Sequence, residues 1–146
     1  MQKIKAEASP FHKFHHVTIV VKSMHKAVEF YSLLGIGPFK PYPYKSTFQK
    51  TLIKIAQIGA LELQLVQPGE DESIYRSFLE MKGEGVQHLG FVVDDIDREE
   101  AKLKRLGIKV LHSGRRADGS GFSYLDTEKM GGVTLSLRPN ALEKKH

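Results

Sequence analysis

A constant spacing of 72 residues restricts the fold of this chain more than any other feature. His16 and His88 stand 72 positions apart and each opens an apolar, β-branched run, His16-Val17-Thr18-Ile19-Val20-Val21 and His88-Leu89-Gly90-Phe91-Val92-Val93. Leu34-Gly35-Ile36 and Leu106-Gly107-Ile108 repeat at the same offset, as do Gly59 and Gly131, Leu63 and Leu135, and Leu65 and Leu137. Any one apolar match is cheap. A single offset carried without a gap through strand, helix end and hairpin reads as a duplicated βαβββ unit. The expected fold class is therefore α+β, with two βαβββ modules forming a cupped, mostly antiparallel sheet.

Local patterning fills in the units. Met24, Ala27, Val28, Tyr31 and Leu34 recur at helical spacing and predict a helix over 24–34, closed by Gly35. The stretch 36–44 carries three prolines and can form only an edge strand or loop. Residues 47–58 and 61–66 read as an antiparallel pair turned by Gly59-Ala60. In the second of these strands Leu61, Leu63 and Leu65 share one face, and Glu62 and Gln64 share the other. Ile74, Phe78 and Met81 give a short helical stripe ending at Gly83. The second half runs through strand 88–93, helix 96–106, strand 108–111, a polar loop at 115–121, and strands 122–125 and 133–137. The domain limits follow: a loosely attached lead-in over 1–13, one domain over 14–138, and a tail over 139–146. Inside that domain, module one covers about 14–68, module two about 86–138, and a helical connector joins them.

Composition narrows the chemistry. The 146 residues include no cysteine, so thiolate ligands, disulfides and cysteine nucleophiles are excluded, and any metal must sit on His, Asp, Glu, Gln or hydroxyl groups. The net charge is +5, but Lys and Arg are interleaved with acids throughout both halves. That dispersion argues against a nucleic-acid surface and fits a small anionic substrate better. No apolar run is long enough for a membrane span, and the N-terminus lacks a signal-peptide core, so the expected location is cytoplasmic.

Strand alternation places His16 with Thr18, Glu62 with Gln64, His88 with Gly90, and Thr134 with Ser136 on like faces. The partner of Gln64 at the 72-residue offset is Ser136. Two curved units closing on one another would surround His16, Gln64, His88 and Ser136. Phe122 and Tyr124 alternate on one strand and can wall such a pocket. Arg115, Arg116 and Arg138 can hold a carboxylate or phosphate by charge-assisted hydrogen bonds. His12, His15, His25, His112 and His146 read as surface, loop or tail residues.

The repeat, carrying these residues, resembles the vicinal oxygen chelate superfamily of glyoxalases, bleomycin-resistance proteins and extradiol dioxygenases. Val66-Gln67-Pro68-Gly69-Glu70-Asp71-Glu72-Ser73-Ile74, Phe78-Leu79-Glu80 and Gly83-Glu84-Gly85-Val86-Gln87-His88 look most like the methylmalonyl-CoA epimerase branch. The resemblance implies a divalent ion (Co, Mn, Ni, Zn or Mg) held by His16, Gln64 and His88. The family's last ligand, a glutamate, falls on Ser136, and a second family carboxylate falls near Phe48-Gln49, where this chain has no acid. Glu62 is the remaining nearby acid expected to face the cavity, either as the candidate base or as a peripheral strand charge. The implied function is an epimerase-like or glyoxalase-like enzyme acting on an α-substituted carbonyl or thioester, such as an acyl-CoA, through a metal-stabilised enolate. The alternative is a metal-free small-molecule binding module of the bleomycin-resistance type. A metal-dependent dioxygenase needs two histidines and a carboxylate and is disfavoured by Ser136. Relatives imply a homodimer.

Overall fold

Three short polar side chains stop an extended segment and start a helix. The Ser23 hydroxyl accepts from the Lys26 amide (3.2 Å), Ser73 from Arg76 (3.0 Å), and the Asp95 carboxylate from Arg98 (3.1 Å). Each satisfies an amide that the first helical turn leaves without an intrahelical partner. The helices they cap are α1 (Met24–Leu33), α2 (Ile74–Lys82) and α3 (Ile96–Arg105). The computed structural model describes residues 4–5, 8–44 and 50–140. Phe48-Gln49 and His146 lie outside the described residues.

The duplication is present in backbone detail. α1 and α3 both end on a glycine at φ +87°, Gly35 and Gly107. In both, the amide two residues beyond the helix cap reaches back to the last turn: Ile36 to the Tyr31 carbonyl (2.9 Å) and Ile108 to that of Leu103 (3.0 Å). This closure needs a left-handed residue, which costs a side chain strain that glycine avoids. Gly35→Ala and Gly107→Ala are each expected to lower unfolding free energy by about 1 kcal/mol, read by urea denaturation with an unchanged slope.

The strands are β1 (Phe14–Val20), β2 (Lys40–Pro41), β3 (Leu52–Ile58), β4 (Leu61–Gln67), β5 (Gly85–Val93), β6 (Val110–Arg115), β7 (Gly121–Leu125) and β8 (Thr134–Pro139); a short helix, α4 (Glu128–Gly131), precedes β8. The chain forms two compact units: His16–Gln87, and His88–His146 together with the residues up to His15.

In the first unit β4 pairs parallel with β1 and antiparallel with β3, which pairs antiparallel with β2. In the second, β8 pairs parallel with β5 and antiparallel with β7, which pairs antiparallel with β6. The parallel registers are equivalent. His16 faces Glu62 and Thr18 faces Gln64, while His88 faces Thr134 and Gly90 faces Ser136. The third strands break the uniform spacing expected from sequence. Gln64 pairs with Ile55, but Ser136 pairs with Tyr124, an offset shortened by three residues. The reason is loop length: Gly59-Ala60 turns β3 into β4, whereas α4 lies between β7 and β8.

Each unit buries one sheet face under a helix. Val21, Met24, Leu63 and Leu65 form one core, with Ile19, Ala27, Val28 and Tyr31 against it. Phe91, Val93, Ile96, Leu103, Leu125 and Leu137 form the other, with Leu89 and Leu135 against it. The lead-in is docked from Phe11 onward. Phe11 meets Phe91 edge-on and Phe14 stacks on it, both at 5.2 Å, and the Val92 amide donates to the Lys13 carbonyl (3.0 Å). Among the described residues no helix is long and apolar enough to cross a membrane.

A polar tie fixes α3 to β6. The Ser113 hydroxyl donates to Glu100 at 2.7 Å, and Arg115 bridges Asp97 (2.8 Å) and Glu100 (3.6 Å). Burial pushes the Glu100 pKa up, but the nearby Ser123 hydroxyl, the hydrogen bond from Ser113 and the charges of Arg115 and Lys104 outweigh it and leave the pKa lowered. A carboxyl with a depressed folded pKa adds stability above its unfolded value of 4.5 and loses it as pH falls through the folded value. Glu100→Gln is therefore expected to lower the Tm at pH 7, with the gap to wild type closing toward pH 3 in a thermal-melt series.

Candidate functional site

The face that each unit leaves uncovered by its core helix carries the polar residues. In the first unit β1 presents His16 and Thr18, and β4 presents Glu62 and Gln64. Their alternate neighbours Ile19, Leu63 and Leu65 enter the core. α2 closes one end of this face, where Tyr75 packs on Val20 and Val66. In the second unit the corresponding face holds His88, Thr134, Ser136, Arg138, Phe122 and Tyr124, because Leu89, Phe91, Leu125, Leu135 and Leu137 are spent on the core.

The first half is a connected chain of hydrogen bonds. The Thr18 hydroxyl donates to the Gln64 carboxamide oxygen (3.0 Å), and the Gln64 amide donates to a Glu62 carboxylate oxygen (2.7 Å). Glu62 thereby fixes which way the Gln64 amide points, and that oxygen keeps its second lone pair. His16, Thr18 and Gln64 are buried, and Glu62 is half-buried.

In the second half, His88 is 2% exposed and meets the Tyr124 ring at 5.1 Å. Burial lowers its pKa to about 3, so at neutral pH the imidazole is uncharged and keeps a lone pair. Ser136 and Thr134 are buried beside it in register, and Gly90 opposite Ser136 brings no side chain.

Arg138 and Arg115 part company. Arg138 lies on the polar face with its guanidinium 3.4 Å from His15. Burial, then the Arg138 charge, lowers the His15 pKa to about 4. Arg115 belongs to the opposite face, tied to the carboxylates of α3, because it alternates with Gly114 and pairs with Gly121.

His112, read from the sequence as a surface or loop residue, stands on a strand, and of the two adjacent arginines named from the sequence it is Arg116 that lies by the rings. β6 extends to Arg115 rather than stopping at Leu111, with a register shift between Val110 and His112. His112 is thus a strand residue 5.1 Å from Phe122, and Arg116 stands over that ring at 6.0 Å. Pairing of the 115–121 loop's flanks was the one available signal.

As donors, the first unit offers the His16 imidazole and the Gln64 amide oxygen, and the second the His88 imidazole and the Ser136 hydroxyl. Such donors fit a borderline ion in kind and bring no charge to it; a hard ion fits least. Among the described residues no three His, Asp or Glu side chains are grouped to hold an ion.

A family model described as "Glyoxalase/Bleomycin resistance protein/Dioxygenase superfamily" matches residues 15–125. An uncharacterized protein of Bacillus subtilis (strain 168), YqjC, is 25% identical over 127 residues, covering 84% of this chain and 88% of that protein. The mitochondrial methylmalonyl-CoA epimerase of Bos taurus is 26% identical over 129 residues, covering 86% and 73%. A solved methylmalonyl-CoA epimerase in complex with methylmalonyl-CoA and NH4+ superposes with a TM-score of 0.72 at 27% identity, over 87% of this chain and 93% of that one.

Proposed function

The chain belongs to the glyoxalase/bleomycin resistance/dioxygenase superfamily, and we propose that it removes the proton next to the carbonyl of an acyl thioester, as an epimerase-like enzyme. The observation that carries this reading is the equivalent register of the two parallel strand pairs. It gives His16 and His88 the same place in their units, and likewise Gln64 and Ser136. The likeness to an epimerase that holds methylmalonyl-CoA supports the substrate class.

On this reading His16, Gln64 and His88 hold one divalent ion, of the imidazole-preferring kind. A bound ion supplies Lewis-acid stabilisation of the developing enolate oxygen. Neutral His88 presents its lone pair without first losing a proton. Thr18 and Glu62 orient the Gln64 amide between them. Glu62 takes the proton from the substrate carbon, since it is the carboxylate that the polar strand faces offer among the described residues. One carboxylate supports exchange with solvent directly; inversion also needs a proton donor on the opposite side of the enolate.

The test is methylmalonyl-CoA in D2O with cobalt-loaded protein, followed by proton NMR at the α-carbon. Deuterium incorporation is expected, faster than inversion. No incorporation by metal-loaded protein would exclude this chemistry on that substrate. The second reading, a binding module without chemistry, is favoured by one observation: the serine at position 136, which leaves the donor set without a charged ligand.

A further inference from the structure

The polar face of the second unit carries a row of rings running outward from His88, and the reaction above uses only His88 of them. His88 meets Tyr124 at 5.1 Å, Tyr124 meets Phe122 at 5.2 Å, and Phe122 meets His112 at 5.1 Å. The row grades from buried to open: His88 is buried, Tyr124 and Phe122 are half-buried, and His112 is exposed. Arg116, also exposed, stands 6.0 Å over Phe122 at the outer end. Gly114, the cross-strand partner of Phe122, leaves room for the ring: a Cβ there would meet its edge carbons at 3.0 Å.

A ring row that served packing alone would be covered by the core helix, as Phe91 is. This one lies on the other face and spends apolar surface on solvent. Its chemistry is that of a stacking platform with a cation at one side, which suits a flat π-system bearing negative charge. The two neighbouring arginines divide the work. Arg115 is tied to Asp97 and Glu100 on the other face, while Arg116, which also donates to the Ser120 hydroxyl (3.3 Å), stands beside the ring face.

We infer that Phe122, Tyr124 and His112, with Arg116 at the outer end, form a specificity subsite for a planar π ring carrying an anionic substituent. The inference rests on the reading of this face as the substrate site. Two sources share that chemistry: the phosphorylated adenosine end of a thioester substrate, and an aromatic acid.

Binding separates them without needing turnover. Isothermal titration uses adenosine 3′,5′-bisphosphate and, separately, 4-hydroxybenzoate as probes, on wild type, Phe122→Ala, Phe122→Leu and Arg116→Gln. A stacking contact predicts a loss of about tenfold in affinity for Phe122→Ala. Phe122→Leu keeps apolar bulk but loses the ring face, so it is expected to weaken binding nearly as much while its thermal melt stays near wild type. Arg116→Gln is expected to weaken binding of the bisphosphate and not of adenosine, titrated as its uncharged control. Binding of the bisphosphate alone assigns the platform to the nucleotide end, and binding of the aromatic acid alone assigns it to the acyl group. If neither probe binds wild type at millimolar concentration, or if Phe122→Leu binds as wild type does, the subsite is overturned. Proton exchange on methylmalonyl-CoA is measured in parallel. Exchange without probe binding refutes the subsite only, and probe binding without exchange refutes the chemistry only.

Discussion

Glu62→Gln is expected to lower the rate of deuterium incorporation into methylmalonyl-CoA by about 10²–10⁴-fold, the usual contribution of a positioned general base. The substitution is nearly isosteric, and the second carboxamide still accepts from the Gln64 amide, which Glu62 holds at 2.7 Å. Metal affinity and thermal stability should therefore stay close to wild type. Glu62→Asp is the companion: it keeps the charge but withdraws it by one methylene, and should retain part of the activity. A Glu62→Gln protein with wild-type exchange would remove this residue from the reaction and leave the fold assignment intact.

The second large effect is expected at Ser136. A glutamate there adds the one charge that the neutral donor set lacks, facing Gly90, which offers no side chain to obstruct it. Two opposite unit charges at about 4 Å are worth about 4 kcal/mol at an effective dielectric of 20, before desolvation is subtracted. Ser136→Glu is therefore expected to tighten cobalt binding on the order of 100-fold. Position 136 is 4% exposed, so without metal the new carboxylate has no solvation to replace what it loses. The metal-free variant should melt below wild type, and added metal should reverse the order. Melting curves with chelator and with cobalt read both halves of that expectation.

These expectations lean on features with different legibility in the sequence. The duplication was legible, because the same spacing governs the glycine that ends each core helix and the histidine inside the first strand of each unit. The like faces of His16 and Thr18, and of Glu62 and Gln64, follow from strand alternation and from the leucines that enter the core between them. The three-residue shift of the third strands was hidden. Strand register is set by the loops on either side, and a short helix replacing a tight turn leaves no mark in the apolar pattern. His112 was missed, and Arg116 was not told apart from Arg115, for a related reason: the irregularity near Val110 breaks alternation, so parity no longer tells which of the two arginines faces the rings. The docking of the lead-in on Phe91 was equally invisible, since it joins residues far apart in the chain.

On the proposed function the two repeat-related histidines, His16 and His88, serve a single metal ion. Cobalt titration followed by visible absorption tests it most directly, on wild type, His16→Ala and His88→Ala. The account expects saturable binding by wild type with one ion per chain, and a loss of at least about tenfold in affinity on removing either histidine. No binding by wild type at millimolar cobalt, or an isotherm that either histidine can leave unchanged, would contradict it.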